Sequence, residues 1–186
     1  MSTNTLVIAH GKTEMVLCHR ISNLLRMPMV IVSRDRGEEA ITISQLPTML
    51  STGPFSSEYR LHKAHPELGY NPRGKVKMPD LRIFTLMDVD MDRSLLKSYV
   101  SRDLFRDSPF RDRIVPVVND PNMDVVMEEI GMGSVQIKKT RSYARMVDGI
   151  EDPLDFLRRL EGSDSTSMDQ FVRHCLSCSP PYQHRI

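Results

Sequence analysis

The chain has 186 residues, 40% of them hydrophobic and 26% charged, enough for one domain with a buried core and ordinary for a globular protein. A net charge of +1 excludes a uniformly basic surface built to coat nucleic acid, although a local basic patch stays open. No apolar run approaches the roughly 20 residues of a membrane-spanning helix. The first residues show no basic region followed by an apolar core, as a signal peptide would. Three cysteines do not make a disulfide framework, so a reducing, cytoplasmic setting is expected. Thirteen methionines and no tryptophan favour pliable core packing, with a soft partner surface or homo-oligomer contact as the alternative.

Leu6, Val7, Ile8 and Ala9 form a short apolar run that fits a strand buried on both faces. His10-Gly11-Lys12-Thr13-Glu14 turns the chain. Met15, Cys18, Ile21, Leu24 and Leu25 then recur at helical spacing, so a helix is expected over about 14–26, stopped by Pro28. A second strand follows at 29–32. Within 34–80, Ser44 is expected to cap a short helix to Leu50 with Pro47 in its first turn. Ser56 or Ser57 starts another helix to about His65, and 69–79 reads as a basic loop. The third strand, 81–87, runs directly into Asp88-Val89-Asp90-Met91-Asp92, followed by a helix at 94–105. The fourth strand, 114–118, contains Pro116 and is therefore expected at a sheet edge. Helices are expected at 123–130, 136–148, 153–161 and 167–177. This alternation predicts an α/β fold with a mostly parallel four-stranded sheet flanked by helices.

In an open parallel sheet, ligands bind beyond the carboxyl ends of the strands. Two polar segments fall there: His10 to Glu14 after the first strand, and Asp88 to Asp92 after the third. Asp88 and Asp90 lie two residues apart, so an extended chain points both to one side. Their mutual repulsion calls for cations, donors or solvent, and Mg²⁺ characteristically takes one or two carboxylates while keeping waters for phosphates. Asp88, Asp90 and Asp92 are thus candidate metal ligands, with helix capping the competing role for Asp92. Gly11, Lys12 and Thr13 open a helix, where an anion such as phosphate is attracted. They do not form a Walker A loop, because the required earlier glycine is replaced by Leu6.

The segments LVIAHGKTE (6–14) and IFTLMDVDMD (83–92) resemble the TOPRIM domain of topoisomerases, primases, overcoming-lysogenization-type nucleases and RloB-like proteins. That family has a strand ending in a glutamate-glycine turn and a later strand ending in Asp-x-Asp. The Gly-Lys-Thr-Glu portion is similar to the RloB-like form, and NDPNMDVVMEE (119–129) is faintly similar to a later turn in which an acidic residue begins a helix. The resemblance covers about 5–118 and implies a single TOPRIM-like domain with an insertion at 34–80 and a helical extension at 119–186. It also implies a nuclease or related phosphodiester-processing enzyme, using Mg²⁺ or Mn²⁺ on DNA or RNA. Asp88 and Asp90 would hold the cation, and His10 or Glu14 would handle protons or complete its shell. The family's first glutamate aligns with His10. This departure leaves three outcomes: an active variant, a change of metal, or a non-catalytic module that binds nucleic acid, nucleotide or a protein partner.

Other groupings are weaker. Cys175 and Cys178, with His174, His184, Cys18 and His19, form at most part of a zinc site, and free thiols are the ordinary reading. His62 and His65 share a helix face. Basic residues at 62–63, 73–77 and 138–141 could follow a phosphate backbone.

Overall fold

The computed structural model describes residues 3–69, 78, 80–89, 92–132 and 147–183. Four parallel strands make one sheet: β1 (Thr5–Ala9), β2 (Val30–Val32), β3 (Arg82–Asp88) and β4 (Ile114–Asn119), in the order β2-β1-β3-β4. The register pairs Leu6 with both Val30 and Ile83, and Asp88 with Asn119. Pro116 lies in the edge strand β4, as its missing N–H requires. Among the described residues, no helix is long and apolar enough to cross a membrane.

Side chains alternate between the two faces of the sheet, and each face has its own core. Val7, Phe84, Leu86 and Val117 face a core completed by α1 (Lys12–Leu25), α5 (Met123–Glu129), α6 (Pro153–Leu160) and α7 (Met168–Cys178). Leu6, Ile8, Ile83 and Met87 face the other. That core is filled by α2 (Leu46–Met49), α3 (Glu58–Ala64) and α4 (Leu96–Val100), through Leu46, Leu61 and Tyr99, and by Phe55 and Phe105 in short 3₁₀ turns. The described residues of 41–68 are therefore part of a structural layer, sharing this face of the sheet with Tyr99 and Phe105. The C-terminal helices do the same for the opposite face.

Helix boundaries follow local chemistry. Ser57 caps α3 by accepting the Arg60 N–H, and Asn122 caps α5 by accepting the Val125 N–H. Pro153 opens α6 behind Asp152, whose carboxylate accepts the Leu154 N–H. The helix expected over 94–105 is broken instead, into two 3₁₀ turns around α4, because Arg102 adopts a left-handed conformation with φ 64°. Ser44 does not cap α2: Thr42 precedes the 3₁₀ turn that leads into it. The expected helix at 136–148 falls almost wholly outside the described residues, as do most of the 69–79 loop, Asp90, the basic residues at 73–77 and 138–141, and His184.

Candidate functional site

The backbone of His10 extends β1 by one bond, its N–H donating to the Leu86 carbonyl at 2.9 Å. Its carbonyl accepts the Ile41 N–H at 2.8 Å. The ring returns the contact, with Nδ1 2.9 Å from the Ile41 carbonyl. A carbonyl only accepts, so Nδ1 carries the hydrogen and Nε2 is left for proton transfer or ligation. Nε2 faces the Asp88 carboxylate at 3.7 Å.

The chain then enters α1 through Gly11, two residues before the helix start expected from the apolar spacing. Glu14 occupies the third helical position and folds back, its Oε2 accepting the Gly11 N–H at 2.9 Å. This is the glutamate half of a capping box. The turn-back buries the side chain to 1% exposure, and Oε1 has no hydrogen-bond partner among the described residues. Burial pushes the Glu14 carboxyl up to about 8, and the negative charge of Asp88 adds to the rise. The N–H groups of Glu14 and Gly11 oppose it, and Asp124 raises it further.

Asp88, at the carboxyl end of β3, is held by the next unit of the fold. Its Oδ1 accepts the Met123 N–H at 3.1 Å and the Asn119 side-chain amide at 3.3 Å. Asn119 is fully buried and is fixed in turn by the Thr166 hydroxyl at 2.9 Å. His10, Gly11, Lys12, Thr13, Glu14 and Asp88 thus line one cleft of about 250 Å³, joined by Asn122, Met123 and Asp124 from the start of α5. Within 119–124, only the acidic residue at the helix start carried a sequence signal, through the faint resemblance. The role of Asn119 had none, because it depends on strand register.

Lys12 is ion-paired with Glu38 at the mouth of this cleft. The loop that brings Glu38 there is tight: Asp35, Arg36 and Gly37 have φ of 39°, 53° and 85°. A Cβ at Gly37 would lie 2.8 Å from the Lys12 Cα, so only glycine allows this approach.

Asp92 stands at the cap position of the following turn but does not cap it. Its Oδ2 accepts the Ser44 N–H at 3.2 Å and the Ser44 hydroxyl at 3.4 Å, tying β3's continuation to the 41–49 segment. Among the described residues, which exclude Asp90, no group of three His, Cys, Asp or Glu side chains is placed to hold a metal. Three carboxylates nonetheless line this cleft, Glu14, Asp88 and Asp124, and the orphaned buried oxygen of Glu14 makes the donor set one that fits a hard cation.

The cysteines diverge. Cys18 and Cys175 are core residues whose thiols burial pushes up, while Cys178 is exposed. His174 lies between Cys178 Sγ at 3.7 Å and the Thr5 hydroxyl at 3.0 Å. His62 is bound to the Leu68 carbonyl and His65 faces Glu67, so the two do not act as a pair. The chain matches no family model, no curated protein and no solved structure.

Proposed function

We propose that the chain is a cytoplasmic, divalent-cation-dependent nuclease or related phosphodiester-processing enzyme of TOPRIM-like type. The observation that carries this reading is Glu14: a buried carboxyl with an unpartnered oxygen, beside Asp88, at the carboxyl end of a parallel sheet. Buried polar groups are rarely left half-satisfied; Arg113 Nη1 is also unpartnered among the described residues, but Glu14 is the one that lines an acidic cleft at the strand ends.

Glu14 and Asp88 would hold Mg²⁺ or Mn²⁺, with Asp90 contributing from two residues further on. A cation there offsets the paired negative charges, stabilises charge on a phosphoryl oxygen and makes a water more acidic. Glu14 would release its proton to solvent on taking up the cation. His10, its ring fixed by Ile41, offers Nε2 as a proton acceptor beside Asp88. Lys12 and the first N–H groups of α1 face the phosphate, with Lys12 exchanging Glu38 for a phosphate oxygen.

The contact between His10 and Asp88 favours a second reading. With His10 Nε2 set against the Asp88 carboxylate, the place of the family's glutamate is taken by a non-acidic ring, as in a module that binds nucleic acid, nucleotide or a protein partner without cleaving.

One assay separates the readings: labelled single- and double-stranded DNA and RNA, incubated with Mg²⁺, Mn²⁺ or chelator. Cation-dependent cleavage is expected, falling about a hundredfold or more in Asp88→Asn. No cleavage of any substrate by the folded chain rejects the enzyme and leaves the binding module.

A further inference from the structure

A second cleft opens on the other side of the His10 turn. It holds about 600 Å³ and is lined by Arg34, Ile41, Ser44, Gln45, Thr48 and Met49. Two bonds fasten its Ile41 wall to His10, one through the Ile41 N–H at 2.8 Å and one through the Ile41 carbonyl at 2.9 Å. Two more fasten its Ser44 rim to Asp92. The cleft is thus built onto the same strand-end turns that carry the carboxylates.

Its chemistry is the opposite of its neighbour's. The acidic cleft carries Glu14, Asp88 and Asp124, whereas this one is mainly apolar and carries no carboxylate among its lining residues. Ile41 is a buried floor, while the Met49 thioether and the Thr48 side chain offer apolar contact, and a thioether adapts to flat polarizable rings. The polar groups stand together: the Arg34 guanidinium lies 3.4 Å from the Gln45 amide oxygen and also pairs with Glu39 at 3.1 Å. Apolar walls with one guanidinium and one primary amide suit a ligand with two apolar faces and a polar edge. Arg and Gln are the side chains that read base edges by paired hydrogen bonds. The Gln45 amide oxygen also accepts the Thr42 N–H at 3.2 Å, so its NH₂ is the part that faces a ligand, and a simple alkyl chain would use the walls alone.

We infer that this cleft is a nucleobase subsite, taking the base next to a phosphate held at Lys12. The inference rests on the phosphodiester reading of the neighbouring cleft and adds what that reading lacks, namely where the substrate's base goes. Two sources share this chemistry, a nucleic acid strand and a free nucleotide.

The test is a binding scan with the full chain, with Ca²⁺ in place of Mg²⁺ to suppress turnover. Labelled single-stranded pentanucleotides of DNA and of RNA each carry one abasic position, moved along the strand, and binding is read by fluorescence anisotropy. One position is expected at which loss of the base weakens binding roughly tenfold. Thr48→Phe, which fills the cleft from an exposed position on α2, lowers the intact strand to the abasic affinity while the melting temperature is unchanged. Nucleoside monophosphates added as competitors assign the source: displacement at concentrations similar to the strand's keeps the subsite and gives it to a free nucleotide. Equal affinity at every abasic position overturns the subsite; if Lys12→Ala still weakens binding, the phosphate reading survives it. No binding by any strand or nucleotide overturns both.

Discussion

Tyr99 and Glu14 are both buried acids beside β3, on opposite faces of the sheet, and the fold treats them differently. The Tyr99 hydroxyl lies 2.6 Å from the Thr85 carbonyl, 3.1 Å from the Val117 carbonyl and 2.8 Å from the Thr85 hydroxyl. It has both a carbonyl to donate to and a hydroxyl to accept from, and burial pushes the phenol up so that it stays neutral. Glu14 has one partner for one oxygen and none for the other among the described residues. Most polar groups that serve packing are completed by their neighbours, as Tyr99 is. The incomplete one lies where three elements end together and where the backbone at 35–37 is strained. The contrast separates a structural polar cluster from a functional one.

The largest effect should come from completing Glu14. In the unfolded chain its carboxyl titrates near 4.5, and in the folded chain near 8. Between those values the folded state binds more protons, so stability is full below the lower value and is lost as pH rises through the higher one. In chelator, the melting temperature of the wild-type chain should fall across this window. Glu14→Gln should remove that fall and melt higher than wild type at pH 8. A cation should stabilise wild type and not the variant. Parallel pH slopes for the two proteins would erase the contrast with Tyr99.

Next in size is Tyr99→Phe, which strips a donor from buried carbonyls and should cost about 1–3 kcal/mol in denaturant unfolding. Cation binding, read by calorimetry, should not change. Gly37→Ala should cost more than about 1 kcal/mol, since it forces a side chain onto φ 85° and into Lys12. It should also weaken binding of inorganic phosphate, because the loop that positions Lys12 must shift. Ser44→Ala is the smallest change. The backbone N–H bond to Asp92 survives and the site is exposed, so stability should stay within about 0.5 kcal/mol.

The sheet was legible because its signals are local. Four short apolar runs, each followed by turn residues, gave four parallel strands, and Pro116 gave the edge. What was not legible depends on contacts between distant segments. A stretch at 34–80 with few periodic residues reads as an insertion, yet Ile41, Leu46, Phe55 and Leu61 are wholly or almost wholly buried. The carboxylates show the same limit. Asp88-x-Asp90 announces itself through spacing, but whether Glu14 points to solvent or folds back is decided by Gly11, and Gly-x-x-Glu is a weaker signal than Ser-x-x-Glu. Asp92 is a good cap by residue type and is drawn away by Ser44, 48 residues earlier.

The edge that Pro116 marks is closed in a further way. On the outward side of β4, Pro116 has no N–H to offer, and the Val118 N–H donates to the Ser167 hydroxyl at 3.0 Å. The Val118 carbonyl accepts the Ser167 N–H at 3.1 Å. The 163–167 segment therefore caps the strand like a selvedge on woven cloth. A foreign strand meets a missing N–H at Pro116 and covered backbone at Val118 and Asp120, which makes this border a poor template for fibril-like stacking or exchange of strands between copies. The opposite border is β2, whose three residues offer only a short ladder for strand addition.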